Sequence, residues 1–228
     1  MSPAEKEALA REMDLDEQID YSVLENLAAM GPGTLGVSVL NAALVYWALW
    51  NTSSRVAMTV WLMFIVAIIL ARFLLVLIFW RTKRHKLRQR TWKVLYLVCI
   101  YATAMGWGLL PFTNAFVEES WAWGLIVFVM AGMSAGGVVS LYIKLSAVIP
   151  YLLFILMPMI FVFSQGRQPA DLYMAVLNGF YLLVLIRAAF HLNHLAMRTL
   201  RLDAENQKLL DFLIEARRQL PKASATRR

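Results

Sequence analysis

The sequence has little of what a disulfide-bonded or catalytic domain needs. Cys99 is the single cysteine in 228 residues, so no disulfide can form within the chain. No nucleophile–base pair, carboxylate dyad or phosphate-cradling glycine loop occurs. His191 and His194 lie one helical turn apart, but a metal site needs three or four ligands and no cysteine or acid joins them. We therefore expect no enzymatic activity, no bound metal and no other cofactor.

Charge is also scarce, and its placement indicates a membrane protein. Only 16% of the residues are charged and 60% are hydrophobic. The charges lie almost entirely outside several long apolar runs, and about 20 apolar helical residues are enough to cross a bilayer core of about 30 Å. The alternation typical of barrel strands is absent, so helices are the expected spanning form.

We predict an all-α fold, a polytopic bundle of six transmembrane helices followed by a cytoplasmic coiled-coil helix. The predicted spans, in chain order, are residues 34–50, 56–80, 94–113, 121–141, 147–163 and 172–190. Residues 1–33 carry eight acidic and two basic residues and no apolar core, which excludes a secretory signal. They are predicted to form a cytoplasmic helix, with a solvated and partly frayed leader as the alternative.

The distribution of basic residues predicts the orientation. Seven of the 22 basic residues lie between positions 81 and 93, and this clustering between two spans speaks against a nucleic-acid partner despite the net charge of +7. Lys144 and the eight basic residues from Arg198 onward fall on the same side of a six-span chain. The positive-inside rule then makes both termini cytoplasmic. Tryptophans cluster at the predicted span ends, as in an aromatic belt: Trp47, Trp50, Trp80, Trp92, Trp121 and Trp123.

The end of the chain carries the apolar spacing of a coiled coil. Alternating steps of three and four residues connect Leu192, Leu195, Thr199, Leu202, Asn206, Leu209, Leu213, Ala216 and Leu220. We predict a parallel homodimer with this seam over residues 191–220, in which Asn206 sets the register, and a disordered tail over residues 221–228 after a stop at Pro221. The alternative is a single amphipathic helix on the bilayer surface, against which four acidic residues between positions 203 and 215 count.

Arg72 is the most unusual residue of the predicted bundle. It lies roughly 12 Å from the end of its span, at 1.5 Å per residue, where a charge is costly unless it faces the interior or snorkels. No acidic residue lies within any predicted span. Its expected partners are Thr103, Tyr101, Asn114 or a freed backbone carbonyl, and the alternative is the anionic head group of a ligand.

Small residues and prolines point to packing or to a cavity between spans three, four and five. Gly132 and Gly136 form a GxxxG that predicts close helix packing, with a pocket lining as the alternative. Pro150 and Pro158 remove backbone donors in span five, and Pro111 does so in span three, so kinks with freed carbonyls are expected. The residues predicted to contact a ligand are Arg72, Trp107, Met133, Pro150 and Met157, although plain packing is an alternative for the methionines.

Several segments occur in a familiar order: "AMGWGLLPF", "MAGMSAGGVVSL", "IPYLLFILMPMIF", "NGFYLLVLIRAAFHLN" and "LRLDAENQKLL". In this order they resemble the N-terminal six-span sensor region of bacterial hybrid histidine kinases and diguanylate cyclases. The resemblance implies a location in the bacterial inner membrane and a cytoplasmic kinase or cyclase output. The chain also departs from the pattern of that family. Where a kinase or cyclase domain would follow, the sequence reads "LPKASATRR", and it contains no "GGDEF" and no phospho-acceptor histidine in a helical "HE" context.

The expected function is therefore a membrane-embedded sensory module that relays a signal through a dimeric coiled coil. A small apolar molecule or the state of the membrane is the expected stimulus. Two alternatives stay open on the sequence: a small transporter or channel subunit, and a membrane scaffold that recruits a separate enzyme.

Overall fold

The structure, a computed structural model, describes residues 33–81, 86–113, 120–166 and 168–225. Within these ranges the chain is helical and has no strand, which confirms the predicted all-α fold. The helices are α1 (Gly33–Leu49), α2 (Arg55–Arg81), α3 (Lys86–Gly108), α4 (Leu110–Thr113), α5 (Ser120–Leu141), α6 (Leu145–Ser164) and α7 (Pro169–Ala225). The predicted N-terminal helix over residues 1–33 lies outside the described residues, apart from Gly33.

Five helices are long and apolar enough to cross a membrane: α2, α3 with α4, α5, α6 and α7. Helix α1 is apolar but shorter, about 25 Å at 1.5 Å per residue against a hydrocarbon core of about 30 Å. The structure thus bears out a bundle of apolar, membrane-length helices. The count of six spans stays a prediction, because it depends on α1.

The basic segment predicted as a loop is largely helical. Helix α3 begins at Lys86, so the basic residues from Lys86 to Lys93 lie on helical backbone. Only residues 82–85, which are outside the described part, separate α2 from α3. The positive charge therefore sits at the ends of two helices.

Proline interrupts the third predicted span. Helix α3 ends at Gly108, Leu109 is a turn residue and α4 follows. Pro111 has no backbone N–H, and its ring clashes with the carbonyl four residues earlier, that of Trp107. The disturbance expected at Pro111 is confirmed.

The prolines of α6 lie inside a continuous helix, and each one frees a backbone carbonyl that faces α3. Pro150 cannot donate to the carbonyl of Ser146, and that oxygen accepts a hydrogen bond from the Tyr101 hydroxyl instead. Pro158 likewise frees the carbonyl of Phe154. Tyr101, which was predicted as a partner of Arg72, thus joins α3 to α6 instead.

Gly108 allows α3 to approach the freed carbonyl of Phe154 closely. A Cβ atom at Gly108 would overlap the freed carbonyl of Phe154, so only glycine lets α3 lie this close to α6. Helix α6 also contacts α5, and α2 contacts α3. Helices α2, α3, α6 and α5 are thus packed one against the next in that order.

Helix α7 is longer than predicted. It was expected to stop at Pro221, but its backbone stays helical to Ala225, because the fixed φ of proline is compatible with a helix and only one hydrogen bond is lost. Of the predicted disordered tail, residues 221–225 are thus helical and residues 226–228 lie outside the described part. The described chain divides into two compact units, one that ends at Asn193 and one that begins at His194.

Candidate functional site: a cavity around Arg72

A cavity of about 350 Å³ lies inside the unit that ends at Asn193. Its walls come from the first turns of α1, from residues 132–141 of α5 and from single side chains of three further helices. Those side chains are Arg72 of α2, Thr103 of α3 and Tyr151 of α6. The sequence predicted a cavity between spans three, four and five, and the observed cavity adds α1 and α2 to that set.

Arg72 supplies the one charge among the described residues of this lining. Its side chain is only 7% exposed. One terminal nitrogen, Nη2, donates to the Tyr96 hydroxyl at 3.0 Å, and the guanidinium carbon lies 5.1 Å from the centre of the Tyr96 ring. The Nε atom is buried and has no hydrogen-bond partner among the described residues. The cation is therefore partly satisfied within the chain and retains one idle donor.

Among the described residues, none of the side chains predicted as partners of Arg72 accepts a hydrogen bond from it. Thr103 lines the cavity, but its hydroxyl donates to the carbonyl of Cys99 at 2.7 Å. Asn114 lies outside the described residues. The sequence signal for Tyr96 is the α2–α3 hairpin: Arg72 is nine residues before the end of α2 and Tyr96 is ten residues after the start of α3, so they lie at matching depths.

The glycines of the predicted packing motif border the cavity. A Cβ atom built at Gly132 or at Gly136 meets no atom within 4 Å, so the described chain has no closely packed helix against this face. The close approach is made one residue later. A Cβ at Gly137 would overlap the Tyr151 ring, whose hydroxyl donates to the carbonyl of Met133 at 3.1 Å. Packing of α5 on α6 thus depends on Gly137, not on the GxxxG pair.

A tryptophan behind the wall holds one polar side chain of the lining in place. Trp107 is fully buried, and its indole nitrogen donates to the Ser38 hydroxyl, a lining group of α1, at 3.2 Å. The ring of Trp107 meets Trp61 edge to face, with 5.4 Å between the ring centres. Trp107 therefore positions a wall residue and does not itself line the space.

The five residues predicted to contact a ligand separate into three groups. Arg72 and Met133 line the cavity. Trp107 lies directly behind it. Pro150 and Met157 are not part of this lining, and Met157 is 50% exposed on the outside of α6. Tyr151 and Ser38 were missed, because their role follows from the mutual rotation of helices, which the sequence does not display.

The cavity opens on the outer surface of the bundle. Its outward-facing residues belong to two helices, Val37 of α1, which is 56% exposed, and Val139 of α5, which is 62% exposed. Gly136, another lining residue of α5, is exposed as well. The exposed part of the described lining is thus contributed by α1 and α5.

Helix α7 is joined to α5 at both ends of the cavity wall. The Tyr181 hydroxyl donates to the carbonyl of Ala131 at 2.8 Å. The Asn193 amide donates to the carbonyls of Tyr142 and Ile143, both at 2.8 Å. These acceptors flank residues 132–141 on either side, so a displacement of that stretch acts directly on α7.

The described residues contain no group of three or more histidine, cysteine, aspartate or glutamate side chains that is close enough to hold a metal ion. No family model, no curated protein and no solved structure matches this chain. The resemblance to kinase and cyclase sensor regions therefore stays a prediction, and the function is argued from the geometry.

Proposed function

We propose that this chain is a membrane-embedded sensory module that relays the occupancy of the Arg72 cavity through α7 to a cytoplasmic output. In this proposal the membrane is the bacterial inner membrane, both termini are cytoplasmic and two copies pair in parallel along α7. The output is a kinase or cyclase domain, in keeping with the sequence resemblance.

The attachment of α7 to α5 supports the proposal most directly. Tyr181 and Asn193 bond to α5 and to the turn after it, on either side of the residues that line the cavity. A guest that displaces this stretch by a fraction of an ångström must break these bonds or move α7. An interhelical hydrogen bond in a membrane contributes about 0.6–2 kcal/mol, and biasing a two-state element needs a coupling of about 1–3 kcal/mol. The two attachments are therefore strong enough for the relay.

The second half of α7 has the surface that a partner copy would cover. The seam residues Leu195, Leu202 and Leu209 are 47%, 51% and 61% exposed, and Asn206 is exposed between them. Leu213 and Leu220 continue the seam on helical backbone, but their side chains lie outside the described part. Exposed leucines at this spacing are stabilised by knobs-into-holes contacts with a second helix.

Disulfide cross-linking in native membranes tests the dimer. In a Cys99→Ala background, Leu202→Cys and Leu209→Cys should each give a covalent dimer on mild oxidation. Gln207→Cys is the matched control, because it is exposed and lies about 200° around the helix from Leu209. Equal cross-linking at Gln207 and Leu209, or none at either seam position, would contradict the paired relay.

A further inference from the structure

The cavity carries a positive charge, Arg72, that no other described lining residue neutralises. Arg72 is 7% exposed, and the remaining polar lining residues are hydroxyl-bearing side chains such as Ser38, Thr103 and Tyr151. No aspartate or glutamate belongs to the lining among the residues that the structure describes. An ion in such surroundings is stabilised only when an opposite charge approaches it, because burial removes the water that would otherwise solvate it.

The guanidinium also has a donor available for an anion. Nη2 is used by the Tyr96 hydroxyl, whereas Nε is buried without a partner among the described residues. A buried donor left unpaired costs about 1–3 kcal/mol, and more on a charged group. Carboxylates and phosphates accept from two guanidinium nitrogens at once, so either group is a suitable counter-charge for Arg72.

The rest of the space suits a hydrocarbon chain. Most of the remaining wall is apolar side chain or glycine, including Leu35, Val37, Met133, Gly136 and Val139. At the roughly 30 Å³ that a water-sized unit occupies in a liquid, about 350 Å³ holds on the order of ten heavy atoms. The exposed Val37 and Val139 border the mouth, so a longer chain can continue outward between α1 and α5.

From these observations we infer that the cavity binds an acyl-chain amphiphile with an anionic head group. The head group pairs with the guanidinium of Arg72, and the chain lies against α1 and the glycine face of α5. The apolar guest expected from the sequence thus acquires an acidic end. This inference rests on the proposed function only for its role as the stimulus, since binding is measured without any relay.

Two sources supply this chemistry, a free single-chain carboxylate and an anionic phospholipid of the surrounding leaflet. The probe is therefore radiolabelled decanoate, which has about as many heavy atoms as the cavity holds. The full chain is placed in nanodiscs of phosphatidylcholine, which has no net charge, and empty nanodiscs give the background from partitioning. We expect saturable binding of about one decanoate per chain, with unlabelled decanol competing at least tenfold more weakly than unlabelled decanoate.

Two variants test the cavity from different sides. Arg72→Met should weaken decanoate binding at least tenfold, because the head group loses its counter-charge. Gly136→Leu should do the same by filling the mouth, and the open space around its Cβ means that the fold tolerates the change. Gly124→Leu is the matched control: it lies on the same helix, its Cβ also meets open space, and it is not part of the lining. Its affinity should equal that of the parent chain.

The source is decided by repeating the titration in nanodiscs that contain phosphatidylglycerol. If decanoate no longer binds in these nanodiscs, and if phosphatidylglycerol co-purifies with the parent chain but not with Arg72→Met, the occupant is the lipid. If decanoate binding is unchanged, the occupant is a free carboxylate. Equal affinity for decanol and decanoate would overturn the inference, as would parent-like affinity in Gly136→Leu. Absence of saturable binding and of retained anionic lipid would overturn it as well. If one of these three contradicting results is found while the Leu209→Cys cross-link still forms, the bound amphiphile is rejected and the proposed dimer is retained.

Discussion

At the scale of single residues, Arg72 determines what the bundle can hold. A guanidinium in a membrane-length helix needs partners, and among the described residues Tyr96 provides a hydroxyl and an aromatic face. The sequence left three interpretations of Arg72 open, namely snorkelling, pairing with a backbone carbonyl and contact with a ligand, and the structure places its side chain in the interior. Tyr96 was not predicted as its partner, because the matching depths of the two residues become apparent only once α2 and α3 are paired as a hairpin.

Removal of the Tyr96 hydroxyl should lower the stability of the chain and leave the shape of the cavity unchanged. Tyr96→Phe deletes a hydrogen bond to a charged donor and keeps the ring, so unfolding free energy should fall by about 1–2 kcal/mol. Thermal or SDS unfolding of the detergent-solubilised chain measures this. Tyr46→Phe is the control, because its hydroxyl lies 3.2 Å from the Thr59 hydroxyl and bonds a neutral group. If both variants lose the same stability, the hydroxyl of Tyr96 does not hold the guanidinium.

At the scale of helices, close contact and open space alternate along α5. Gly137 meets the Tyr151 ring, while its neighbours Gly136 and Gly132 face the cavity. Both roles come from small residues within about one and a half turns of the helix. The composition of this stretch therefore serves two purposes, approach to α6 and room for a guest.

This difference predicts opposite effects of alanine. Gly137→Ala should lower the free energy of unfolding by about 1–3 kcal/mol, because the new methyl group overlaps a buried ring that is held by its hydroxyl. Gly132→Ala should be neutral or stabilising by up to about 1 kcal/mol, since alanine favours a helix and its Cβ meets open space. Parallel SDS titrations compare the two. A larger loss in Gly132→Ala would mean that the GxxxG pair packs against another helix after all.

The sequence predicted the bounds of the helices better than it predicted which neighbour each helix face contacts. Apolar runs against charged flanks placed four helices within a few residues of their observed bounds, and Pro111 marked a real interruption. The extension of α7 through Pro221 was not predicted, because a proline that stops a helix and one that is tolerated within it look alike in sequence. The error at Gly132 and Gly136 has a related cause, since their spacing shows a small face but not what lies opposite.

At the scale of the whole molecule, the proposed sensor depends on the attachment of α7 to the wall of the cavity. The described lining comes mainly from α1 and α5, and α7 is bonded to α5 at Ala131 and to the turn at Tyr142 and Ile143. A transporter would instead carry a solute across the bilayer, and flux into proteoliposomes would distinguish it from the sensor that we propose.

The most direct test of the relay is the rate of Leu209→Cys cross-linking in native membranes when a substituted side chain of the protein itself occupies the cavity. Gly136→Leu places a side chain in the cavity mouth, and Gly124→Leu adds the same side chain away from it. We predict that Gly136→Leu changes the rate at least threefold relative to Gly124→Leu. Adding Asn193→Ala, which removes the bonds to Tyr142 and Ile143, should abolish that difference. Identical rates in Gly136→Leu and Gly124→Leu would contradict the relay from cavity to helix.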